Sequence, residues 1–259
     1  MSFTGRAQAP WLVAALGVGL LSLLPVGVLV AERSWEHIPL ALAASAVRVS
    51  LLSGGIALGV VIGLGLPSAW YLARHAQSPL RRAVELALLA LLLTPPLVLG
   101  LVLAFVLGPT TGVGMALSGW GISPTNSWFA LVVAEVYEAL PYFVLTASAA
   151  FEGVPRVYEE AALSLVPQPW RVWREVTLPL AAPGLIAAAA MAWARVVGAF
   201  GAVIVVAYHP AGLPLAIWVG LEEFGLPAAL PLALILLAVG LPVPWLLMLW
   251  RRSHDPVAG

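Results

Sequence analysis

The chain contains 259 residues, of which 62% are hydrophobic and 9% are charged, and its formal net charge is zero. A soluble domain carries about 25% charged residues, so this excess of apolar side chains excludes a water-soluble globular protein and indicates a membrane protein. The lack of cysteine excludes disulfides and thiolate metal sites, and the zero net charge gives no reason to expect a nucleic-acid partner.

Six apolar segments are long enough to cross a membrane, since a helix needs about 20 apolar residues to do so. They predict an all-α polytopic protein that forms a single transmembrane domain over 1–259, with spans at 11–31, 54–73, 86–107, 128–150, 185–208 and 228–250. The first apolar run is longer than the hydrophobic core of a signal peptide, and no small-x-small cleavage site follows it, so we expect a true span. Prolines at 25, 95, 96 and 141 are expected to kink their helices, as harmless irregularities or as gating hinges.

The arginines predict the orientation, because cytoplasmic loops of membrane proteins are enriched in basic residues. One set of loops and both termini carry nine of the twelve: Arg6, Arg74, Arg81, Arg82, Arg156, Arg171, Arg174, Arg251 and Arg252. The opposite loops carry only Arg33 and Arg48. We therefore expect both termini and the loop 151–184 in the cytoplasm, and 108–127 and the loop 209–225 outside.

The predicted cytoplasmic loop 151–184 is the longest polar segment between two spans. Its first part predicts a short helix, with Pro155 near the start and Glu159 and Glu160 at the positive end of the helix dipole. Pro167 is expected to end this helix, and Pro169 to stand in the first turn of a second one. The pattern alone also fits an amphipathic hairpin that lies on the bilayer surface.

The segment EEAALSLVPQPWRVWREVTLP, residues 159–179, resembles the EAA loop of binding-protein-dependent ABC importer permeases. Its Glu-Ala-Ala, an aromatic residue and a Leu-Pro pair stand where that motif has them, whereas Val166 occupies the place of the motif's glycine. Pro167 is expected to supply the bend instead. The resemblance assigns contact with an ATPase to Glu159, Glu160, Ala161, Ala162, Val166, Pro167, Arg171, Trp173, Leu178 and Pro179.

A second segment, WARVVGAFGAVIVVAYHP, is similar to the molybdate and tungstate branch of that family. Ala194-Arg195 and Phe200-Gly201-Ala202 match, and Ala199 stands where the branch has a glutamate. Sulfate permeases share much of this pattern, so a permease for sulfate or another small solute remains an alternative. A different class, an ATP-independent secondary carrier, also remains open, although no internal repeat supports it.

The resemblance implies a multi-pass subunit of a prokaryotic cytoplasmic membrane that imports an oxyanion by alternating access. The implied partners are a second copy of the chain, a cytoplasmic ABC ATPase dimer that binds ATP and Mg, and an extracytoplasmic oxyanion-binding protein. The chain has no G-x-x-x-x-G-K-[ST] phosphate loop, so it is expected to be no enzyme and to bind no cofactor itself. The scattered histidines 37, 75, 209 and 254 predict no metal site.

Three charged residues are expected inside the membrane: Glu135 and Glu138 on the fourth span and Arg195 on the fifth. A charge at the centre of a membrane helix costs at least about 2.5 kcal/mol and requires a partner. We therefore expect Arg195 to pair with one of the two glutamates, either as a structural bridge or as part of the transport pathway. The predicted pathway or gate residues are Glu135, Glu138, Arg195, Phe200 and Gly201. Gly59 and Gly63 on the second span predict close helix packing, within the chain or against a second copy.

Overall fold

The computed structural model describes residues 9–31 and 40–246. Within these residues it contains helices and no strand, which confirms the all-α prediction. The helices are α1 (Ala9–Ala31), α2 (Leu40–Arg74), α3 (Pro79–Leu93), α4 (Pro96–Val106), α5 (Gly112–Gly119), α6 (Trp128–Glu152), α7 (Arg156–Leu165), α8 (Pro169–Val172), α9 (Leu178–Val197), α10 (Val203–Val206), α11 (Leu213–Phe224) and α12 (Leu226–Gly240). The arginines at 6, 33, 251 and 252, the histidines at 37 and 254, and the end of the sixth predicted span lie outside the described residues.

Five of the described helical segments are long and apolar enough to cross a membrane, and the bent pair α3–α4 adds a sixth candidate. The predicted number of about six crossings is therefore confirmed. The first crossing, within α1, buries none of its membrane-length segment inside the protein. Of the other helices it contacts α12.

The centre of the protein is formed by α2, α6 and α9, which contact one another along their lengths. Small residues allow this close approach, which drives helix association in lipid. A Cβ added at Gly65 of α2 would lie 2.5 Å from a ring carbon of Phe143, and one at Gly54 would lie 3.1 Å from a methyl of Val196. In contrast, none of the other described residues has an atom within 4 Å of a Cβ added at Gly59 or Gly63. The prediction that these two glycines pack against other helices of the chain is thus wrong, because α2 turns its opposite side toward α6 and α9.

The third predicted span, 86–107, is not one straight crossing. It consists of α3 and α4, and the chain bends by 111° between them. Pro95 and Pro96 cannot donate backbone hydrogen bonds, and a proline pushes its preceding residue out of the helical region. Accordingly, Thr94 is extended, with φ −69° and ψ 124°. The expected kink is therefore a full break.

The fifth predicted span, 185–208, has different bounds. The helical segment begins at Pro169 and continues to Val197, through a π-helical turn at Trp173–Thr177. Such a turn accommodates a disruption of the α-helical ladder, here just before Pro179. The charged residues at 171, 174 and 175 suggested a loop, but they lie on the exposed side of the first turns. The predicted loop 151–184 thus contains the start of the fifth crossing.

The predicted outer loop 209–225 is mostly helical. The helix α11 buries Leu213, Leu215 and Ala216, and the backbone N–H of Leu213 donates to the Ser50 hydroxyl at 2.8 Å. Gly225, with φ +79°, then reverses the chain into α12. The segment was interpreted as a loop, but Pro214 lies in the first turn of α11, where proline is tolerated.

Candidate functional site

The first part of the EAA-like segment forms α7, which begins after Pro155 and ends at Val166. Val166 has φ −132° and ψ 98°, an extended conformation that any residue adopts. The chain therefore turns here without a positive φ. This explains why valine can occupy the position that holds glycine in the motif.

A partly buried set of hydrogen bonds connects α7 to the membrane helices. Glu159 Oε1 accepts from Arg74 Nη2 at 2.7 Å and from the Thr177 hydroxyl at 2.6 Å. The side chains of Arg74 and Glu159 are only 9% and 15% exposed. Arg74 also donates to the backbone oxygen of Phe151 at 3.0 Å. Thus one carboxylate joins α7 to the end of α2 and to the π-helical turn before α9.

Sequence reasoning did not identify Arg74 and Thr177 as partners of Glu159. Arg74 lies 85 residues before Glu159 and Thr177 lies 18 residues after it. The sequence did indicate that Arg74 and Glu159 lie on the same side of the membrane. Arg74 directly follows the second predicted span and belongs to the predicted cytoplasmic arginines.

The opposite side of α7 and α8 is exposed. Glu160, Ala161 and Leu165 are exposed on α7, and Trp170 is exposed on α8. The Trp170 and Trp173 rings stack with their centroids 4.9 Å apart. We name this set, together with Arg171, the α7–α8 surface. It combines exposed apolar side chains with two charged side chains, Glu160 on α7 and Arg171 on α8.

Arg171 and the remaining residues of the predicted coupling set differ in their exposure. Arg171 forms an exposed ion pair with Glu175 at 3.0 Å, which contributes little to stability. Pro167 and Pro179 are exposed, whereas Ala162 and Leu178 are partly buried. Within the set, Glu160, Ala161, Pro167, Arg171 and Pro179 are therefore exposed, whereas the Glu159 side chain is largely buried and bonded to α2.

A second polar cluster lies inside the bundle, between α6 and α9. Arg195 Nη2 donates to Glu138 Oε2 at 3.1 Å, and the backbone N–H of Ala202 donates to Glu138 Oε1 at 3.3 Å. The Arg195 guanidinium also lies 4.9 Å from the ring centre of Tyr142. The partner of Arg195 is therefore Glu138 of the two candidate glutamates. This carboxylate also lies beside the turn that contains Ala199.

Glu135 and Phe200 lie apart from this ion pair. Glu135 Oε1 accepts from the Ser53 hydroxyl of α2 at 2.7 Å, and no hydrogen bond to its Oε2 occurs within the described part of the chain. The Phe200 ring packs against Trp218 of α11, with the centroids 5.6 Å apart. The structure thus does not bring all five predicted pathway residues to one place.

Two interruptions of the helices meet next to the Glu138–Arg195 pair. A Cβ added at Gly201 would lie 2.7 Å from Pro96, and one at Gly100 would lie 2.8 Å from the backbone of Ala202. The break between α3 and α4 therefore packs tightly against the turn after α9. Non-helical backbone at membrane depth is tolerated where it is buried in protein or borders a water-filled cavity.

A cavity of about 180 Å³ lies at this junction. Its lining consists of Leu91, Leu92, Thr94, Pro96, Leu99, Tyr137, Glu138, Tyr142 and Arg195. It is unusual in this apolar chain because four titratable side chains border it. Among the described residues, no group of three or more His, Cys, Asp or Glu side chains has the arrangement of a metal site.

Comparison with known proteins gives a consistent result. The family described as "Binding-protein-dependent transport system inner membrane component" matches residues 55–253. A probable molybdenum ABC transporter permease protein of Haloferax volcanii is 38% identical over 246 residues, covering 92% of this chain and 87% of that protein. The sulfate transport system permease protein CysT of Escherichia coli (strain K12) is 32% identical over 255 residues, covering 92% and 91%.

A solved structure shows the same fold. One chain of a bacterial alginate ABC transporter, in complex with an alginate pentasaccharide-bound periplasmic protein, matches with a TM-score of 0.71 and 15% identity. The match covers 96% of each chain.

Proposed function

The chain belongs to the family of binding-protein-dependent transport system inner membrane components, and we propose that it imports molybdate or tungstate as the membrane-spanning subunit of an ATP-driven transporter. The family membership is established by the match over residues 55–253, and the identity of the transported oxyanion is what we propose. The similarity to a molybdenum permease over most of both chains supports it, as does the pattern around Arg195 and Gly201.

The α7–α8 surface carries the mechanistic part of the proposal. It is exposed, partly apolar and polar at its edges, and it is joined to α2 and α9 through Glu159. An ATPase that closes on this surface could therefore move the membrane helices as a rigid body between two packed states. The chain lacks a phosphate loop of its own, so ATP and Mg would be bound by that partner.

The other partners follow from the same reasoning. A second copy would complete the pathway and would cover apolar helix faces, such as that of Gly59 and Gly63. An extracytoplasmic binding protein would deliver the oxyanion to the side opposite the α7–α8 surface. The similarity to ABC importer permeases supports a location in a prokaryotic cytoplasmic membrane, and the arginine distribution favours an orientation with both termini and this surface in the cytoplasm.

Reconstitution tests the substrate and the energy source together. The purified complex of this chain with its ATPase, in liposomes, is supplied with the binding protein and with labelled molybdate, tungstate or sulfate. We expect ATP-dependent uptake of molybdate and tungstate. Sulfate is the second candidate, because a sulfate permease is 32% identical over most of the chain, and ATP-dependent uptake of sulfate alone would favour it. Uptake that does not require ATP would refute the importer and favour a secondary carrier.

A further inference from the structure

The cavity between the α3–α4 break and the turn after α9 has the size and lining of a small-anion site. Its volume of about 180 Å³ is several times that of a water molecule, which occupies about 30 Å³ in the liquid. The polar groups that border it are Arg195, Glu138, Tyr137, Tyr142 and Thr94. Interrupted helices with ionisable groups between them mark substrate sites in other membrane transporters.

The two charges of the cavity differ in their accessibility. The Arg195 side chain is 36% exposed, whereas the Glu138 side chain is 3% exposed. Glu138 also accepts a hydrogen bond from the backbone N–H of Ala202. An anion that enters the cavity would therefore meet the guanidinium, while the carboxylate stays behind it.

The two tyrosines add neutral hydrogen-bond donors to this cation. The Tyr142 ring lies 4.9 Å from the guanidinium and restricts its position through a cation–π contact. Tyr137 is exposed and also borders the cavity. Within the described residues, neither tyrosine hydroxyl has a hydrogen-bond partner. By contrast, the Thr94 hydroxyl donates to the backbone oxygen of Ala90 at 2.7 Å.

We propose that this cavity is a transit site, in which Arg195 and the hydroxyls of Tyr137 and Tyr142 bind the tetrahedral oxyanion during its passage. Glu138 compensates part of the positive charge and keeps the binding weak enough for release, as a conducting site requires. Thr94 borders the cavity without binding the anion, since its hydroxyl already donates its hydrogen to the backbone oxygen of Ala90. This inference rests on the proposed import of an oxyanion.

Conservative variants of the complete reconstituted transporter test the role of the hydroxyls. In Tyr137→Phe/Tyr142→Phe, we expect ATP-dependent molybdate uptake to fall about tenfold or more, as for a lost hydrogen bond to a charged group. Assembly of the complex and ATP hydrolysis stimulated by the binding protein should persist, which separates a transit defect from misfolding. Tyr208→Phe is the control, because this exposed tyrosine lies outside the cavity.

A binding measurement that does not depend on transport uses the absence of cysteine from the chain. In Thr94→Cys, a water-soluble thiosulfonate should modify the new thiol, and excess molybdate should slow the reaction, whereas chloride at equal ionic strength should not. In the control Ser118→Cys, at an exposed position of α5, molybdate should leave the reaction rate unchanged.

The outcomes separate the transit site from the proposed function. Normal molybdate uptake by the double tyrosine variant, or unprotected modification of Thr94→Cys, would overturn the transit site although the wild-type complex still imports molybdate. If the wild-type complex imports no oxyanion at all, both the proposed substrate and the transit site are wrong.

Discussion

Replacing Glu159 by alanine should loosen α7 from the membrane helices. The change removes two short hydrogen bonds, from Arg74 and Thr177, and leaves the largely buried Arg74 guanidinium without its carboxylate. A hydrogen bond to a charged group is worth about 1.5–3 kcal/mol, and loss of one partner of a buried pair costs more than loss of an exposed one. Alanine regains about 0.5 kcal/mol of helix propensity. We therefore expect a net loss of about 2 kcal/mol or more.

Amide hydrogen exchange of the purified complex measures this loss locally. A change of about 2 kcal/mol corresponds to about thirtyfold faster exchange of the α7 amides, since each 1.4 kcal/mol is a factor of ten. Exchange in the centre of α6 should stay unchanged. Thr177→Val combined with Glu159→Ala in a double-mutant cycle should give a coupling of about 1 kcal/mol.

Glu160→Ala provides a matched control. Glu160 is the next residue of the same helix, but it is exposed and forms no ion pair or hydrogen bond within the described chain. Its replacement should leave the exchange of α7 unchanged or slightly slower. Equal effects of Glu159→Ala and Glu160→Ala would refute the view that Glu159 joins α7 to the bundle.

Four further outcomes follow from the structure. Glu160→Arg should abolish uptake while ATP hydrolysis and membrane insertion persist, since it alters the α7–α8 surface; normal uptake would contradict the coupling role. Gly65→Leu should lower the stability measured by thermal unfolding in detergent by about 1–3 kcal/mol, because the added Cβ lies 2.5 Å from a buried ring of α6. Glu138→Leu should cost about 1–3 kcal/mol, because it leaves the partly exposed Arg195 guanidinium and the backbone N–H of Ala202 without their carboxylate, and adding Arg195→Met should recover part of that loss. Val166→Gly should retain transport and destabilise α7, seen by hydrogen exchange, by about 0.4–1 kcal/mol.

Gly63→Ala is the control for Gly65→Leu. Gly63 lies about half a turn earlier on α2, and in the part of the chain that the structure describes no other residue lies within 4 Å of the added Cβ. The stability of the isolated Gly63→Ala chain should not fall, because alanine favours a helix over glycine by about 0.5–1 kcal/mol. A loss that occurs only in the assembled transporter would place another subunit against this face of α2.

Local rules predicted much of the architecture. The apolar runs indicated about six crossings because a membrane requires long helices that satisfy their own backbone. Pro155 and Pro167 located the bounds of α7, since proline restricts the backbone of its immediate neighbours. The same rules were less reliable where charge and proline occur within a helix. The start of the fifth crossing and the helix α11 were both interpreted as loops for this reason.

The sequence by itself therefore determined the membrane class, the approximate crossings and the exposed segment that resembles a coupling loop, because each depends on neighbouring residues. The tertiary structure decided which glutamate pairs with Arg195, that Glu159 bonds to Arg74, and that the two helix breaks meet at a polar cavity. These contacts join residues 57 and 85 positions apart. Their formation depends on how each helix is rotated and placed in the bundle, which no local pattern specifies.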